Sequence, residues 1–460
     1  MTTARPNVLL LLTDSSQYQV FGGQPHPVCR TPNVDGLAAE GVRFDSAFSS
    51  APVCHPARAA IQTGMLPHAN GYMGNAIGPN AYPFELSEDV PCFAEILAQA
   101  GYRTGYAGQK HIRERGFADF AGLLSDYREW VQQQAPGLLS ARPLGPPYCQ
   151  EVDHDVDESR EAWYARGTSE LIERYANQDA PWLIECDFDA PHPPFPLPAG
   201  YASLYAPSDV ALPASLDDDL LDKAEAHRVC RATQVGEGLS REDWQLFIAS
   251  YWAYVTLTDH YIGQILATLD RTGQRENTVV IFTSDHGELV GAHGFITKYP
   301  QLWDEGLHVP LVMRWPEGAA RGVVRQGFTS SIDLLPTICE LAGATIPGTV
   351  HGESLVPLLA AGPEPEVGRD ETFSEYDGNI GQAYSVRMVR TREWKYVFVP
   401  YGRDELYDLI NDPGECVNLA GRSENRPALR DMQDRMARRM EQTRDHALGP
   451  LNARRKLTAR

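Results

Sequence analysis

Cys54 opens the run Cys54-His55-Pro56-Ala57-Arg58-Ala59-Ala60-Ile61-Gln62-Thr63-Gly64, in which a sulfur, a proline and a guanidinium are spaced as an anion site needs them. Proline is favoured just inside a helix start, where its missing N–H would be unpaired in any case. Ala57 to Thr63 are adequate helix formers. Position 54 is therefore predicted at a helix N-terminus, where free N–H groups and the dipole attract negative charge. Arg58 falls one turn on and can reach back. The plain alternative is a capped helix carrying a buried free thiol. That is how the other seven cysteines read (29, 92, 149, 186, 230, 339, 416), scattered without CxxC or zinc-type spacing.

A second group follows two apolar runs. Asn7–Leu12 ends in Thr13-Asp14, and Thr278–Phe282 ends in Thr283-Ser284-Asp285-His286. Two carboxylates and an imidazole at adjacent strand ends make a site for a divalent ion, able to polarise an oxyanion and acidify a nucleophile. The imidazole nitrogen tilts the choice slightly from calcium towards manganese. A lone aspartate after a strand is usually a cap or turn residue. The string Ser284-Asp285-His286-Gly287-Glu288, followed by Gly291, His293 and Gly294, is more specific, and within it His293 reads as a loop residue.

The spacing Cys-x-Pro-x-Arg, four residues, then Thr-Gly resembles the signature of the type I sulfatases, and the resemblance runs from Asn7 to about Leu419. It implies an alkaline-phosphatase-like α/β fold and a sulfuric ester hydrolase. It also implies a formylglycine-generating maturase that oxidises Cys54 to formylglycine, whose hydrated aldehyde is the nucleophile. The chemistry has a clear logic. A serine would leave a stable sulfate ester, whereas a geminal diol attacks with one hydroxyl, and deprotonating the other expels sulfate.

By the same resemblance Asp14, Ser15, Cys54, Asp285 and His286 surround one divalent cation, calcium first, with manganese or magnesium as alternatives. Ser15 stands where the family usually has a second aspartate, so the site carries one negative charge fewer. Arg58 and the cation stabilise developing charge, His111 serves the diol, and His192 and Lys298 donate to the leaving oxygen. Gly108-Gln109-Lys110-His111 stands where the family reads Gly-Lys-x-His. The usual lysine is thus Gln109, and Lys110 is one place off, which on a strand means the opposite face. Lys110 and Asn75 are candidate substrate contacts, with His68 a further one. The implied reaction is hydrolysis of a small anionic sulfate monoester. Phosphonate monoester or phosphodiester hydrolysis and sulfamidase activity are alternatives that use the same apparatus. A non-catalytic member that binds a sulfated ligand is the contrasting reading, suggested by Ser15 and Gln109 together.

The elements that must position these residues are legible as patterns. Apolar runs at Asn7–Leu12, Trp182–Phe188 and Thr278–Phe282 imply strands covered on both faces, hence a large, mostly parallel sheet flanked by helices. In open α/β sheets ligands collect beyond the carboxyl ends of strands, and three such ends are expected to share one rim. Pro91–Ala100 and a long segment from Ser240 to about Leu269 read as helices, the latter capped by Ser240. Residues 193–239 read as an irregular insertion. Ala361–Glu366 reads as a linker, giving a catalytic part at 1–362 and a C-terminal α+β part at 363–460. The latter has antiparallel strands at Tyr384–Arg390, Trp394–Pro400 and Glu405–Leu409 and a helix at Pro427–His446. The basic end 452–460 reads as a mobile tail or an oligomer contact, so a homo-oligomer is possible.

The chain has 460 residues, 43% of them hydrophobic, and a net charge of −21. That charge excludes nucleic acid and anionic membrane as partners, since both need clustered Lys and Arg. It also means that an anionic substrate must be held by a local positive site. Val8–Leu12 is too short for a signal peptide or a membrane span, so a cytoplasmic enzyme is expected.

Overall fold

Along the first strand, β1 (Asn7–Asp14), the pleat sends alternate side chains to opposite faces, and both faces are buried. Leu9 and Leu11 join one core cluster and Val8, Leu10 and Leu12 another. In the computed structural model, which describes residues 5–23, 26–75, 86–112, 114–134, 141–233, 238–298, 300–315, 319–362, 369–379 and 382–458, β1 lies inside a large sheet. The other strands of that sheet are β2 (Val42–Phe44), β3 (Arg103–Gly108), β4 (Asp119–Leu123), β5 (Trp182–Pro191), β6 (Thr278–Ser284), β7 (Leu311–Arg314) and β8 (Val323–Arg325). Their order is β8-β2-β7-β6-β1-β5-β3-β4. All neighbours are parallel except β7, which runs antiparallel to both β6 and β2.

Among the helices that matter to the site, α1 (Cys54–Thr63), α2 (Phe93–Gln99) and α5 (Leu334–Leu341) lie on one face. On the other are α3 (Arg160–Ala176) and the 31-residue α4 (Arg241–Arg271). α4 starts as its sequence predicts. Ser240 Oγ accepts from Asp243 N at 3.1 Å, and Asp243 Oδ2 accepts from Ser240 N at 3.0 Å. Such reciprocal caps satisfy two otherwise orphaned donors.

The register sets the site. Thr13 of β1 pairs with Ser284 of β6, and Leu12 pairs with Asp187 of β5, so Asp14, Asp285 and Asp187 reach the same rim. Beyond Leu12 the pairing with β5 shifts, and Asp14 meets Pro191. This irregularity carries β5 three residues past its predicted end and delivers His192 over the rim.

A separate antiparallel sheet, β9 (Thr372–Asn379), β10 (Gln382–Arg390), β11 (Trp394–Phe398) and β12 (Glu405–Asp408), pairs in chain order. It packs against α6 (Arg426–Thr443) through Leu429, Met432, Met436 and Met440. Residues 363–366 of the expected linker lie outside the described residues. The predicted tail departs from expectation, because Leu448–Thr458 is a helix, α7, with Leu451 fully buried. Two of its basic residues are tied down, Arg454 to Asp404 at 2.8 Å and Arg455 to Asp434. The 193–239 insertion likewise contains a short strand, Phe195–Pro198, and a helix, Glu225–Thr233. Among the described residues no helix is long and apolar enough to cross a membrane.

Candidate active site

α1 starts at Cys54, as the proline-containing run predicts, and ends at Gly64, whose φ of 65° and N–H to the Ala60 carbonyl close the last turn. Nearly every residue of α1 is buried. Asn75 Oδ1 takes the His55 N–H at 3.0 Å, which satisfies one free donor of the first turn and brings Asn75 beside position 54.

Four side chains meet at the rim. The ligand atoms of Asp14, Cys54, Asp285 and His286 all lie within 4.8 Å of one another, and all four residues are buried. His286 Nε2 is 3.3 Å from Cys54 Sγ, 3.8 Å from Asp14 Oδ1 and 3.7 Å from Asp285 Oδ1. His286 Nδ1 donates to the Gly287 carbonyl at 2.7 Å, which leaves the Nε2 lone pair facing the group. Burial, then Lys298, lowers this imidazole to about 4, so it is a neutral nitrogen donor.

The carboxylates behave as a pair in need of a cation. Burial pushes Asp14 up, but His192, His111, His286 and Lys298 more than offset it and hold Asp14 well below the usual range. Asp285 goes the other way, pushed up to about 7 by burial and then by the Asp14 charge. Two such groups cannot both ionise comfortably without added positive charge. A donor set of two carboxylates, a neutral imidazole and position 54, turned inward and dry, fits a divalent ion.

Arg58 lies behind this set with each nitrogen on a different carboxylate. Nε meets Asp285 Oδ2 at 2.8 Å, Nη1 meets Asp187 Oδ2 at 2.5 Å and Nη2 meets Asp14 Oδ2 at 3.3 Å. Despite burial, these three charges hold the guanidinium pKa well above its ordinary value. The Cys54 thiol is pushed the other way, well above its usual value, by burial and then by Asp14. An unmodified Cys54 is thus a poor thiolate nucleophile in this setting.

His111 Nε2 lies 3.1 Å from Asp14 Oδ2. Lys298 Nζ donates to Ser15 Oγ at 3.0 Å and pairs with Glu288 Oε2 at 3.3 Å. Ser15 in turn donates to Asp14 Oδ1 at 3.0 Å, so its hydroxyl bridges Lys298 to the donor set. Its φ of 73° turns the chain there and brings its N–H to 3.3 Å from Asp285 Oδ1. His192 Nδ1 donates to the Pro193 carbonyl at 2.6 Å, and burial, then Lys298, lowers the ring to about 3. With Nδ1 carrying the proton, Nε2 is bare in this state.

The structure thus brings together Asp14, Ser15, Cys54, Arg58, Asn75, His111, His192, Asp285, His286 and Lys298. Lys110 is not brought in. It is exposed, with Nζ 3.8 Å above the Phe120 ring. His68 is drawn to the C-terminal part instead, with Nδ1 2.7 Å from Glu375 Oε2. His293 is a loop residue, stacked on Trp303 with its Nδ1 2.7 Å from Asp218. Two participants escaped sequence reasoning. Glu288 holds Lys298, and Asp187 holds Arg58. The available signal was charge inside apolar strands, since Glu185 and Asp187 interrupt the Trp182–Phe188 run and buried acids need partners.

Comparison with known proteins agrees with this geometry. The family model described as Sulfatase matches residues 6–344, and that described as N-sulphoglucosamine sulphohydrolase, C-terminal, matches residues 291–445. The sulfatase YidJ of Escherichia coli is 32% identical over 94% of this chain and 88% of its own length. An ulvan-active sulfatase of Formosa agariphila is 28% identical over 96% and 82%. Among solved structures, a phosphonate monoester hydrolase of Agrobacterium radiobacter superposes with a TM-score of 0.85 at 26% identity, covering 95% of this chain and 96% of that one.

Proposed function

Because this chain belongs to the sulfatase family, we propose that it hydrolyses a small sulfate monoester with position 54 in the formylglycine form, installed by a maturase, and with a divalent cation at Asp14, Asp285 and His286. The observation that carries this reading is the meeting of Cys54, two carboxylates and an inward-facing imidazole at one helix N-terminus. As formylglycine, position 54 supplies a hydrated aldehyde, one hydroxyl for attack on sulfur and a second whose deprotonation releases sulfate. A cation held there would supply positive charge that favours binding of the sulfate and ionisation of the diol.

The chain's own residues do the rest. Arg58 fixes Asp14 and Asp285 and adds positive charge beneath position 54. His111, beside Asp14, serves the diol hydroxyl whose deprotonation releases sulfate, and its Nε2 must give up the Asp14 contact to take that proton. Lys298, charged and held by Glu288, donates to the oxygen that leaves. His192 joins as a donor only after gaining a proton, which the charge of a bound anion favours. Asn75, beside position 54, contacts the sulfate side of the substrate. Calcium is the cation the family favours, and the His286 nitrogen makes manganese the first alternative. The seven cysteines other than Cys54 are free thiols, which supports a reducing, cytoplasmic setting.

The likeness to a phosphonate monoester hydrolase, together with the neutral Ser15, favours one second reading, phosphonate monoester hydrolysis at the same site. The match of residues 291–445 similarly admits an N-linked sulfate. The test is co-expression with a maturase, mass analysis of the peptide containing residue 54, and turnover of p-nitrophenyl sulfate, a sulfamate and a phosphonate monoester with added calcium or manganese. Formylglycine at 54 and sulfate-ester turnover that Cys54→Ala abolishes are expected. Unmodified cysteine without turnover would sink the reading, and a higher kcat/KM on the phosphonate would transfer it to the second.

A further inference from the structure

Arg58 touches three carboxylates, but only two of them belong to the donor set. The third, Asp187, comes from β5 at the same rim, and among the described residues it shares no hydrogen bond or ion pair with the candidate cation ligands or with position 54. Its Oδ2 receives Arg58 Nη1 at 2.5 Å and shares the Tyr106 hydroxyl, 2.9 Å away, with the Gln109 carbonyl at 2.7 Å. Tyr106 comes from β3, the neighbouring strand.

Two residues earlier on β5, and so on the same face, lies Glu185, 1% exposed. The Glu185 and Asp187 carboxyls are within hydrogen-bonding reach of each other. Each also has a buried oxygen without a donor, Glu185 Oε2 and Asp187 Oδ1. Two ionised carboxylates so placed would repel in a dry interior and leave both oxygens unsatisfied. One proton on Glu185 removes the repulsion and supplies the missing donor. The proton belongs on Glu185 because the guanidinium and the phenol both favour a charged Asp187. The other titratable or charged groups facing the pair are Glu114, from the loop after β3, His111 and Arg58 itself.

We propose that Asp187, held by a neutral Glu185 carboxyl, is a positioning residue for Arg58, clamping the guanidinium from beneath so that Nε and Nη2 stay on Asp285 and Asp14 whatever occupies the site. Asp14 and Asp285 must also serve the cation, so their hold on Arg58 changes as the site fills. Asp187 has no such second task. It is the fixed corner of the triangle, and Glu185 keeps it from turning away. This inference rests on the sulfate-ester reading for the reaction it serves, but not for the protonation it requires.

The experiment compares Asp187→Asn, Glu185→Gln and Glu185→Leu in the matured, metal-loaded enzyme. Asp187→Asn is expected to lower kcat for p-nitrophenyl sulfate on the order of 10- to 100-fold with a smaller change in KM, the result of an arginine set loose by a fraction of an ångström. Glu185→Leu should fall with it, whereas Glu185→Gln, whose amide N–H replaces the acid O–H, should stay within about twofold of wild type. Wild-type kcat in Asp187→Asn, or a fall in Glu185→Gln as deep as in Glu185→Leu, overturns the proposal. A second measurement stands apart from activity and from the folding of Asp187→Asn. The infrared difference spectrum of wild type against Glu185→Gln should show the carbonyl stretch of a protonated, buried carboxylic acid, and its absence also overturns the proposal. A wild-type enzyme that leaves every sulfate ester intact defeats the functional reading, while the infrared band still decides the state of Glu185.

Discussion

At the scale of single residues, Ser15 and Gln109 separate this site from the pattern it resembles, and the structure gives Ser15 a definite task. Its hydroxyl joins Lys298 to Asp14 without adding charge. A carboxylate in its place would neutralise Lys298 and add a fourth anion beside Asp14, Asp285 and Asp187. Aspartate tolerates a positive φ better than most residues, so Ser15→Asp should fold. One more charge at contact range should tighten divalent binding on the order of tenfold or more. The same change should lower kcat/KM on anionic esters, because the lysine is then engaged. Calorimetric metal titration and steady-state kinetics check both halves, and unchanged metal affinity would remove Ser15 from the cation's surroundings. The residues legible in the sequence were those with a local signature: Cys54 and Arg58 by spacing, Asp14, Asp285 and His286 by their place after apolar runs. Asp187 and Glu288 were missed because their partners, Arg58 and Lys298, lie 129 and 10 residues away and only folding reveals what each holds.

At the scale of elements, α1 is gripped from both sides. Ile61 faces the core beneath the large sheet, while Ala60 and Leu66 pack into the cluster under the four-stranded sheet. β9 reaches the loop before α1 directly, Glu375 N donating to the Ser50 carbonyl at 2.9 Å and Ser374 Oγ to the Ser49 carbonyl at 2.5 Å. The C-terminal sheet is therefore part of the support of position 54. His68, just past α1, is fastened to buried Glu375, and Arg387 and Asp445 complete the cluster. Burial lowers the His68 pKa, but the hydrogen bond and charge of Glu375 outweigh it and raise the pKa above its ordinary 6.5. A raised histidine pKa contributes stability that is complete below pH 6.5 and is lost as pH climbs through the folded value. Thermal stability should thus decline as pH rises above 6.5, and the decline should be shallower in His68→Gln. Equal slopes in the two proteins would remove His68 from this role. Three strands of the large sheet and three of the C-terminal sheet could be read from the sequence, but the shorter strands of the large sheet, β9 and α7 could not. One buried leucine among basic residues looks like a tail, and only the acids on neighbouring elements make it a helix in place.

At the scale of the whole molecule, a net charge of −21 surrounds a site built to receive an anion. The positive groups of that site, Arg58 and Lys298, are buried and largely compensated by Asp187, Asp14, Asp285 and Glu288, so little of their field reaches solvent. An anionic substrate approaches against the overall field until it is close. Screening should relieve this, and kcat/KM should rise roughly a few-fold as the Debye length falls from about 30 Å to about 8 Å between 0.01 and 0.15 M salt. A fall over the same range would show that local attraction governs the approach. The same global arrangement fixes an order of events. Cys54 is only 7% exposed once the sheet has closed, and the wall around it is drawn from residues as distant as Asp14 and Lys298. On a ribosome, at roughly 5–20 residues per second, the stretch from position 64 to position 298 takes on the order of 10 to 50 s to make. For an interval of that length after the segment bearing position 54 leaves the ribosome, the walls that will hide it are not yet complete. Chemistry at this residue by another enzyme therefore runs against a clock set by the chain's own length, and a slower or paused translation lengthens the window.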